Sequence, residues 1–369
     1  MNHLVITEQD ELEKFCEQLQ DSRWLALDTE FIRERTYDSQ LCLIQIADAT
    51  RLACIDPLTL NSLEPLVILL DKPTILKVFH AANQDLEIFY RLNRQVPQPL
   101  FDTQIGAALL GYGDQIGYAA LVKQLLHIDL DKSHTRTNWQ QRPLKAKQIE
   151  YALNDVKYLA ELYPLIRAQL EKKDRLDWVI EDSAQLINPA LFQTNLAECW
   201  QQVKGANKLK RQQLNVLKHL AAWREQRAID KNRPRRWILK DHILLELATQ
   251  QPSHHDELTT IPDLEPRIAK EFGGTFLQLI QTALAESNQH WPENKHRAKP
   301  TATEAAILKQ LNAILQNHAG TANLNANLIC SRGDLYRLIR GERNLPLLRG
   351  WRLALAGKAI LEELEQAQQ

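Results

Sequence analysis

Cysteine is scarce in this chain: five in 369 residues, Cys16, Cys42, Cys54, Cys199 and Cys330, with no Cys-x-x-Cys pair among them. Scattered single thiols argue against a disulfide framework or a zinc site, and Cys42, inside an apolar run, reads as a buried, reduced thiol. No apolar run approaches the roughly 20 residues of a membrane-spanning helix. The opening stretch, Met1-Asn2-His3-Leu4 leading into Glu8-Gln9-Asp10-Glu11, lacks the basic-then-apolar order of an export signal. A cytoplasmic protein with no membrane partner is expected. There is no Gly-x-x-x-x-Gly-Lys-Ser/Thr loop, so no helicase motor is expected, and Gly111-Tyr112-Gly113 is too short a turn to signal phosphate binding. An excess of one charge is also lacking. The 45 Lys and Arg balance 46 Asp and Glu to a net charge of -1, which argues against a general polyanion binder.

What is present is the composition of an ordinary folded protein, 44% hydrophobic and 25% charged, with length for two or three domains, each able to bury a core. Short apolar runs bounded by polar residues, Trp24 to Asp28, Leu41 to Ala47, Leu52 to Asp56 and Ile75 to Phe79, read as strands of a mostly buried sheet. Helical patterns lie between and after them, at Asp85 to Leu92, Thr103 to Leu110, Tyr118 to Leu126 and Ala146 to Leu170, so an α/β domain is expected over residues 1–204. From about residue 205 only helical periodicity remains, in two blocks of similar size. The first holds Leu209 to Gln226, Asp241 to Thr249 and Ile268 to Ala285; the second holds Thr303 to Asn317, Ser331 to Ile339 and Leu347 to Glu365. The charged, proline-bearing stretch from Ser287 to Thr303 reads as a linker. Three domains are expected, 1–204, 205–290 and 300–369.

Two acids close the run Leu25-Ala26-Leu27-Asp28-Thr29-Glu30-Phe31. Residues two apart on a strand share a side, so Asp28 and Glu30 can converge at the end of a sheet, where their repulsion favours a hard divalent cation. The same pair also fits a solvated loop or a helix cap. In Tyr151-Ala152-Leu153-Asn154-Asp155, on a helix whose core face is Ile149, Leu153, Val156 and Leu159, Tyr151 and Asp155 are helical neighbours about 5 to 6 Å apart at Cβ. An interface tyrosine beside a surface acid has the same spacing. In His80-Ala81-Ala82-Asn83-Gln84-Asp85-Leu86-Glu87 a strand turns into a helix with Asp85 in its first turn, a position that also suits an ordinary capping or dipole-favoured acid.

In this order, Asp28-Thr29-Glu30, His80 to Glu87 and Tyr151 to Leu159 resemble the three motifs of the DEDDy family of 3′-to-5′ exonucleases. The strings Leu27 to Arg33, Leu41 to Ile46, Phe101-Asp102-Thr103-Gln104 and Arg142-Pro143-Leu144 are similar to its bacterial ribonuclease D branch, and the helical blocks resemble paired HRDC domains, so the similarity spans the chain. The resemblance implies a ribonuclease H-like α/β exonuclease domain, a mixed sheet with flanking helices, followed by two all-α HRDC helical modules. It implies a metal-dependent 3′-5′ exoribonuclease that removes 3′ trailer nucleotides from transfer RNA precursors and other small structured RNAs and releases nucleoside 5′-monophosphates. Two metal ions about 3.5 to 4 Å apart hold the attacking and leaving oxygens in such hydrolysis, and Mg²⁺, or Mn²⁺, suits a set of four carboxylates. Carried onto this sequence, Asp28 bridges both ions, Glu30 and Asp155 ligate one, Asp85 supports the other through water, and Tyr151 orients the attacking water. RNA is then the partner, with no obligate protein partner and a monomer as the default. A DNA exonuclease would use the same residues, and a non-catalytic RNA-binding protein would need these acids broken.

RNA-binding candidates are Phe31, Arg136, Trp139, Arg233, Arg235 and Arg236. Phe31 can wedge against the terminal base or pack in the core. Lys132 to Trp139 mixes basic and aromatic residues, as a path for RNA or as a surface loop with a packed tryptophan. Between Lys204 and Lys240 twelve basic residues face only Glu225 and Asp230; there Trp223, Arg224, Arg227, Arg233, Arg235, Arg236 and Trp237 fit RNA phosphates and bases, or a solvated helix face. His80 is read as structural rather than as a metal ligand, and Asp102 as the cap of the helix from Thr103.

Overall fold

The computed structural model describes residues 3–131, 137–293 and 300–368. Six strands, β1 (His3–Ile6), β2 (Trp24–Ile32), β3 (Gln40–Ala47), β4 (Leu52–Ile55), β5 (Leu76–Phe79) and β6 (Leu100–Asp102), form one sheet in the order β1-β4-β3-β2-β5-β6. The sheet is mixed: β1 with β4, β2 with β5 and β5 with β6 are parallel pairs, and β3 with β4 is antiparallel. Strand alternation sends Leu25 and Leu27 of β2 into one buried cluster and Ala26 into another. Helices α1 (Gln9–Gln18), α2 (Glu64–Leu70) and α3 (Asn83–Asn93) cover the first side through Leu12, Leu66 and Leu86. Helices α4 (Thr103–Leu110), α5 (Tyr118–Leu126), α6 (Ala146–Lys172) and α7 (Leu176–Ala184) cover the second. The long α6 carries a stripe of buried residues, Ala152, Leu153, Val156, Leu159, Tyr163, Ile166 and Leu170, at helical spacing against the sheet.

A second set of helices, α8 (Arg211–Asp230), α9 (Arg235–Ile238), α10 (Asp241–Gln250) and α11 (Pro266–Ala285), closes around a core of its own, with Leu217, Leu220, Leu244, Leu247 and Phe276 fully buried. The final block comprises α12 (Ala302–Ala322), α13 (Ala326–Ile329), α14 (Arg332–Ile339) and α15 (Gly350–Arg352), which runs through a π turn at Leu353–Gly357 into α16 (Lys358–Gln368).

The chain divides into two compact units. Met1–Ile32, Leu41–Phe192 and Lys299–Gln369 make one, and Arg33–Gln40 with Gln193–Ala298 make the other. The last helical block therefore shares the body of the sheet. Trp178 of α7 stacks on Trp351, ring centroids 4.6 Å apart and planes 7° from parallel. Asp182 accepts hydrogen bonds from the Arg352 guanidinium at 2.6 and 2.9 Å and from Trp351 Nε1 at 3.2 Å. Leu311, Leu335 and Ile360 join the same apolar cluster as Val156 and Ile166. The stretch that leaves β2 is built into the other unit, where buried Tyr37 donates its hydroxyl to Glu225 at 2.5 Å and its backbone N–H to Asn232 Oδ1 at 3.0 Å. All five cysteines are free and buried. Among the described residues no helix is long and apolar enough to cross a membrane.

Candidate active site

Both acids of β2 lie within the strand, which continues to Ile32. Alternation puts Asp28 and Glu30 on the side of Ala26, under α6, and turns Thr29 with Leu27 toward the side of α3. Helix α6 adds Asp155, and one carboxylate oxygen each from Asp28, Glu30 and Asp155 lie within 4.8 Å of one another. Asp85, in the first turn of α3, stands outside that tight trio, is 7% exposed, and accepts a hydrogen bond from Thr29 Oγ1 at 2.5 Å. The turn that delivers it is held from below. Ala81 has φ of 59°, left-handed for a residue with a β-carbon, and Asp102 accepts from the N–H groups of Ala81 at 3.1 Å and Ala82 at 2.9 Å. Asp102 also accepts from Gln104 N–H at 2.8 Å, so it caps α4 as the sequence suggests and in addition fixes the approach to Asp85.

Electrostatics follow from this crowding. Burial, with the neighbouring charges of Asp85, Asp155 and Glu30, holds the Asp28 carboxyl well above the usual carboxylate range. Burial and the charges of Asp155 and Asp85 push Glu30 up to about 9. Asp155 is raised to about 7 by burial, and Asp85 to about 7 by burial against the lowering effect of its bond from Thr29. The donors are all oxygen, hard and anionic, and their mutual repulsion is what a divalent cation relieves; the set fits such ions. Nothing in it favours a soft metal, since the nearby thiols of Cys42 and Cys54 are raised by burial.

A cavity of about 540 Å³ opens over Asp28 and Asp155, and Tyr151, His80, Tyr118 and Lys147 are among its other lining residues. Tyr151 lies one helical turn before Asp155, half-buried, its ring 6.1 Å from that of Trp139. His80 is satisfied on both nitrogens, Nε2 donating to the Ile116 carbonyl at 3.0 Å and Nδ1 lying 3.0 Å from Thr103 Oγ1, which fits its exclusion from the metal set. Tyr118 was not singled out by any sequence signal beyond opening a helix. Its hydroxyl nevertheless donates to the carbonyls of Asn154, at 3.0 Å, and Asp155, bracing α6 at the acid itself. Thr29 was likewise passed over, although its place between two acids on the opposite side of the strand was the available clue. Arg142 clamps the loop before α6: it pairs bidentately with Asp56, which is 2% exposed, and donates to the carbonyls of Cys42 and Trp139, each at 2.7 Å.

The RNA-binding candidates separate. Phe31 sits half-buried on β2 directly after Glu30. Arg136 lies outside the described residues. Trp139 is 2% exposed and belongs to the core, the packed alternative, so no face of it is open to a base. Arg233 is exposed, Arg236 is exposed but paired with Asp241 at 3.2 Å, and Arg235 is spent on Gln202 and on Glu225 at 2.8 Å. Arg224 is 2% exposed and bound to Asp241 at 2.7 Å, Arg227 pairs with Glu271 at 3.3 Å, and Trp223 packs on Phe276 with centroids 5.1 Å apart. The apparent lack of compensating acids in this stretch is thus corrected, because Asp241, the next residue, and Glu271, on α11, lie beside it in space.

Residues 4–171 match the 3′-5′ exonuclease family and residues 213–280 match the HRDC domain. The HRDC match falls on the first of the two helical blocks. Ribonuclease D of Pseudomonas paraeruginosa is 38% identical over 358 residues, 95% of each chain. Ribonuclease D of Gluconacetobacter diazotrophicus is 39% identical over 97% of this chain and 92% of its own. The crystal structure of Escherichia coli RNase D, an exoribonuclease involved in structured RNA processing, superposes with a TM-score of 0.88 at 31% identity over 99% of both chains. A protein from Bifidobacterium adolescentis, 22% identical with a TM-score of 0.73 over 98% of this chain and 96% of that one, shares the fold.

Proposed function

Since the chain belongs to the ribonuclease D family and is a 3′-5′ exoribonuclease of RNA processing, we propose that Asp28, Glu30, Asp85 and Asp155 hold two divalent ions, Mg²⁺ or Mn²⁺, for hydrolysis of the RNA 3′ end. The observation that carries this is the convergence of three carboxylates within 4.8 Å, two of which, Asp28 and Asp155, line an open cavity, with a fourth acid held by Thr29. When bound, such ions lower the pKa of the attacking water and stabilise charge on the attacking and leaving oxygens. Asp28, central among the acids, would help to hold both ions, with Glu30 and Asp155 toward one and Asp85 toward the other. Tyr151 donates a hydrogen bond that orients the attacking water from one turn before Asp155. Phe31 stacks on the terminal base, and the product leaves as a nucleoside 5′-monophosphate.

The substrates are the 3′ trailers of transfer RNA precursors and other small structured RNAs. The HRDC domain grips the RNA through Arg233, just before α9, and the exposed Arg236 on it, with Arg235 holding that helix in place. Residues 300–369 form a second HRDC-like module, a reading supported by a run of helices similar in length to the first block, so that the sequence-level divisions 1–204, 205–290 and 300–369 stand as modules of descent beside the two compact units. The test is a time course on a 3′-extended transfer RNA labelled at its 5′ end, with and without Mg²⁺, beside Asp28→Asn. A ladder shortening by single nucleotides, dependent on metal and lost in the variant, is expected. Binding without shortening under any divalent metal would remove this mechanism.

A further inference from the structure

Trp237 is the one exposed Phe, Tyr or Trp among the described residues, at 59%. The other tryptophans are covered, as Trp178 by Trp351 and Trp223 by Phe272 and Phe276. The element beneath the exposed ring is firmly seated. Arg235, two residues earlier on α9, pairs with Glu225 at 2.8 Å, and fully buried Arg224 donates to the Leu239 carbonyl at 3.0 Å and to Asp241 at 2.7 Å. A rigid mount with an uncovered indole is therefore a property of the fold. Of the five basic side chains in residues 231–240, Arg235 is paired with Glu225 and Arg236 with Asp241 at 3.2 Å, which leaves three cations around the ring. Among the described residues no acid pairs with Lys231, Arg233 or Lys240. The Arg233 guanidinium lies 5.9 Å from the Trp237 ring centroid, and Arg236 is 69% exposed.

An apolar protein surface would have to strip water from these cations to reach the ring, whereas a polyanion made of flat rings satisfies both features at once. We propose that Trp237 is a stacking platform for an unpaired nucleobase of the RNA substrate, flanked by phosphate contacts to Arg233, Lys231 and Lys240. The inference rests on the reading of the HRDC domain as an RNA grip and adds to it a preference for single-stranded nucleotides. Stacking tolerates any base, because every base has a π-face, so the platform contributes no sequence specificity.

The experiment uses the full chain in EDTA, with two fluorescein-labelled RNAs, a hairpin with a single-stranded 3′ oligoadenosine tail and the same hairpin ended blunt, read by anisotropy. Trp237→Ala should weaken binding of the tailed hairpin by about 5- to 100-fold, Trp237→Tyr should restore most of it, and the blunt hairpin should be bound by all three proteins alike. Thermal midpoints that coincide with wild type establish that the variants are folded. Binding of the tailed hairpin by Trp237→Ala within about twofold of wild type overturns the platform, and so does an equal loss on both RNAs. Arg233→Ala should weaken both RNAs. If it does while Trp237→Ala changes neither, stacking fails and the grip stands; if neither substitution changes either RNA, both readings fail.

Discussion

Replacing Thr29 with valine removes one hydroxyl and leaves the shape of the strand in place. That hydroxyl donates to Asp85 at 2.5 Å in a buried setting, where the acid already sits at about 7. A hydrogen bond to a charged group contributes about 1.5 to 3 kcal/mol, equivalent to about one to two pKa units, so Thr29→Val should lift Asp85 to between about 8 and 9. Near pH 7 the wild-type acid is then about half ionised and the variant about 1 to 10% ionised. If cation binding needs the ionised form, the Mg²⁺ concentration for half-maximal rate should rise by about 5- to 50-fold near pH 7, with kcat at saturating Mg²⁺ changed far less. The sign of the pH dependence follows from the raised pKa. Both proteins become ionised as pH climbs through the elevated value, so the defect should shrink to about twofold or less near pH 9. Initial rates of nucleotide release across a Mg²⁺ series at both pH values measure this. A half-saturation unchanged near pH 7, or a defect equally large near pH 9, would refute the electrostatic role and make Thr29 a packing residue.

Asp28→Asn should abolish hydrolysis and, because burial and three neighbouring acids oppose ionisation of Asp28, should raise the metal-free thermal midpoint while erasing the Mg²⁺-induced shift. Differential scanning fluorimetry in EDTA and in Mg²⁺ reads both effects, and a variant less stable than wild type in EDTA would count against the repulsion. Glu30, raised from 4.5 to about 9, keeps its proton longer in the folded state, so metal-free stability should fall as pH rises through that window and Glu30→Gln should flatten the slope in urea titrations. Tyr151→Phe should lower kcat by about 100-fold with KM little changed, and an unaltered kcat would show that another group positions the water. Asp182→Ala, which strips Arg352 and Trp351 Nε1 of a largely buried partner, should cost about 2 to 4 kcal/mol in chemical denaturation; a loss under about 0.5 kcal/mol would mean the last helical block is held elsewhere.

Spacing puts Asp28 with Glu30 on one strand face and Tyr151 with Asp155 on one helix face but leaves ordinary readings open, and the acids were legible as a site through the resemblance of their three segments to the DEDDy motifs. Two residues along a strand and four along a helix each select one face, and both periods survive folding. The supports were not. Thr29 looks like a spacer until α3 is placed beside it, and Tyr118 reaches α6 across 37 residues, a distance no local pattern encodes. β6, of three residues, is too short for alternation to be readable, while β1 is as long as the four-residue β4 and β5 that were read; both β1 and β6 are set by parallel pairing with other strands. Trp139 misled because a tryptophan near basic residues reads as a contact surface, whereas the core cluster around Tyr151 supplies its neighbours. The basic run misled for a related reason: a window ending at Lys240 stops one residue short of Asp241, which takes up Arg224 and Arg236.

The chain passes between its two compact units three times over, at Ile32 to Arg33, Gln40 to Leu41 and Phe192 to Gln193, and returns for the last block after Ala298. That final return makes the polypeptide separable where the folded body is not. A protein severed between α11 and α12, or expressed from two genes divided there, keeps Trp351 against Trp178 and Arg352 against Asp182 with no covalent link between the pieces. Capture of either fragment on a resin should bring down the other, with nuclease activity in the eluate.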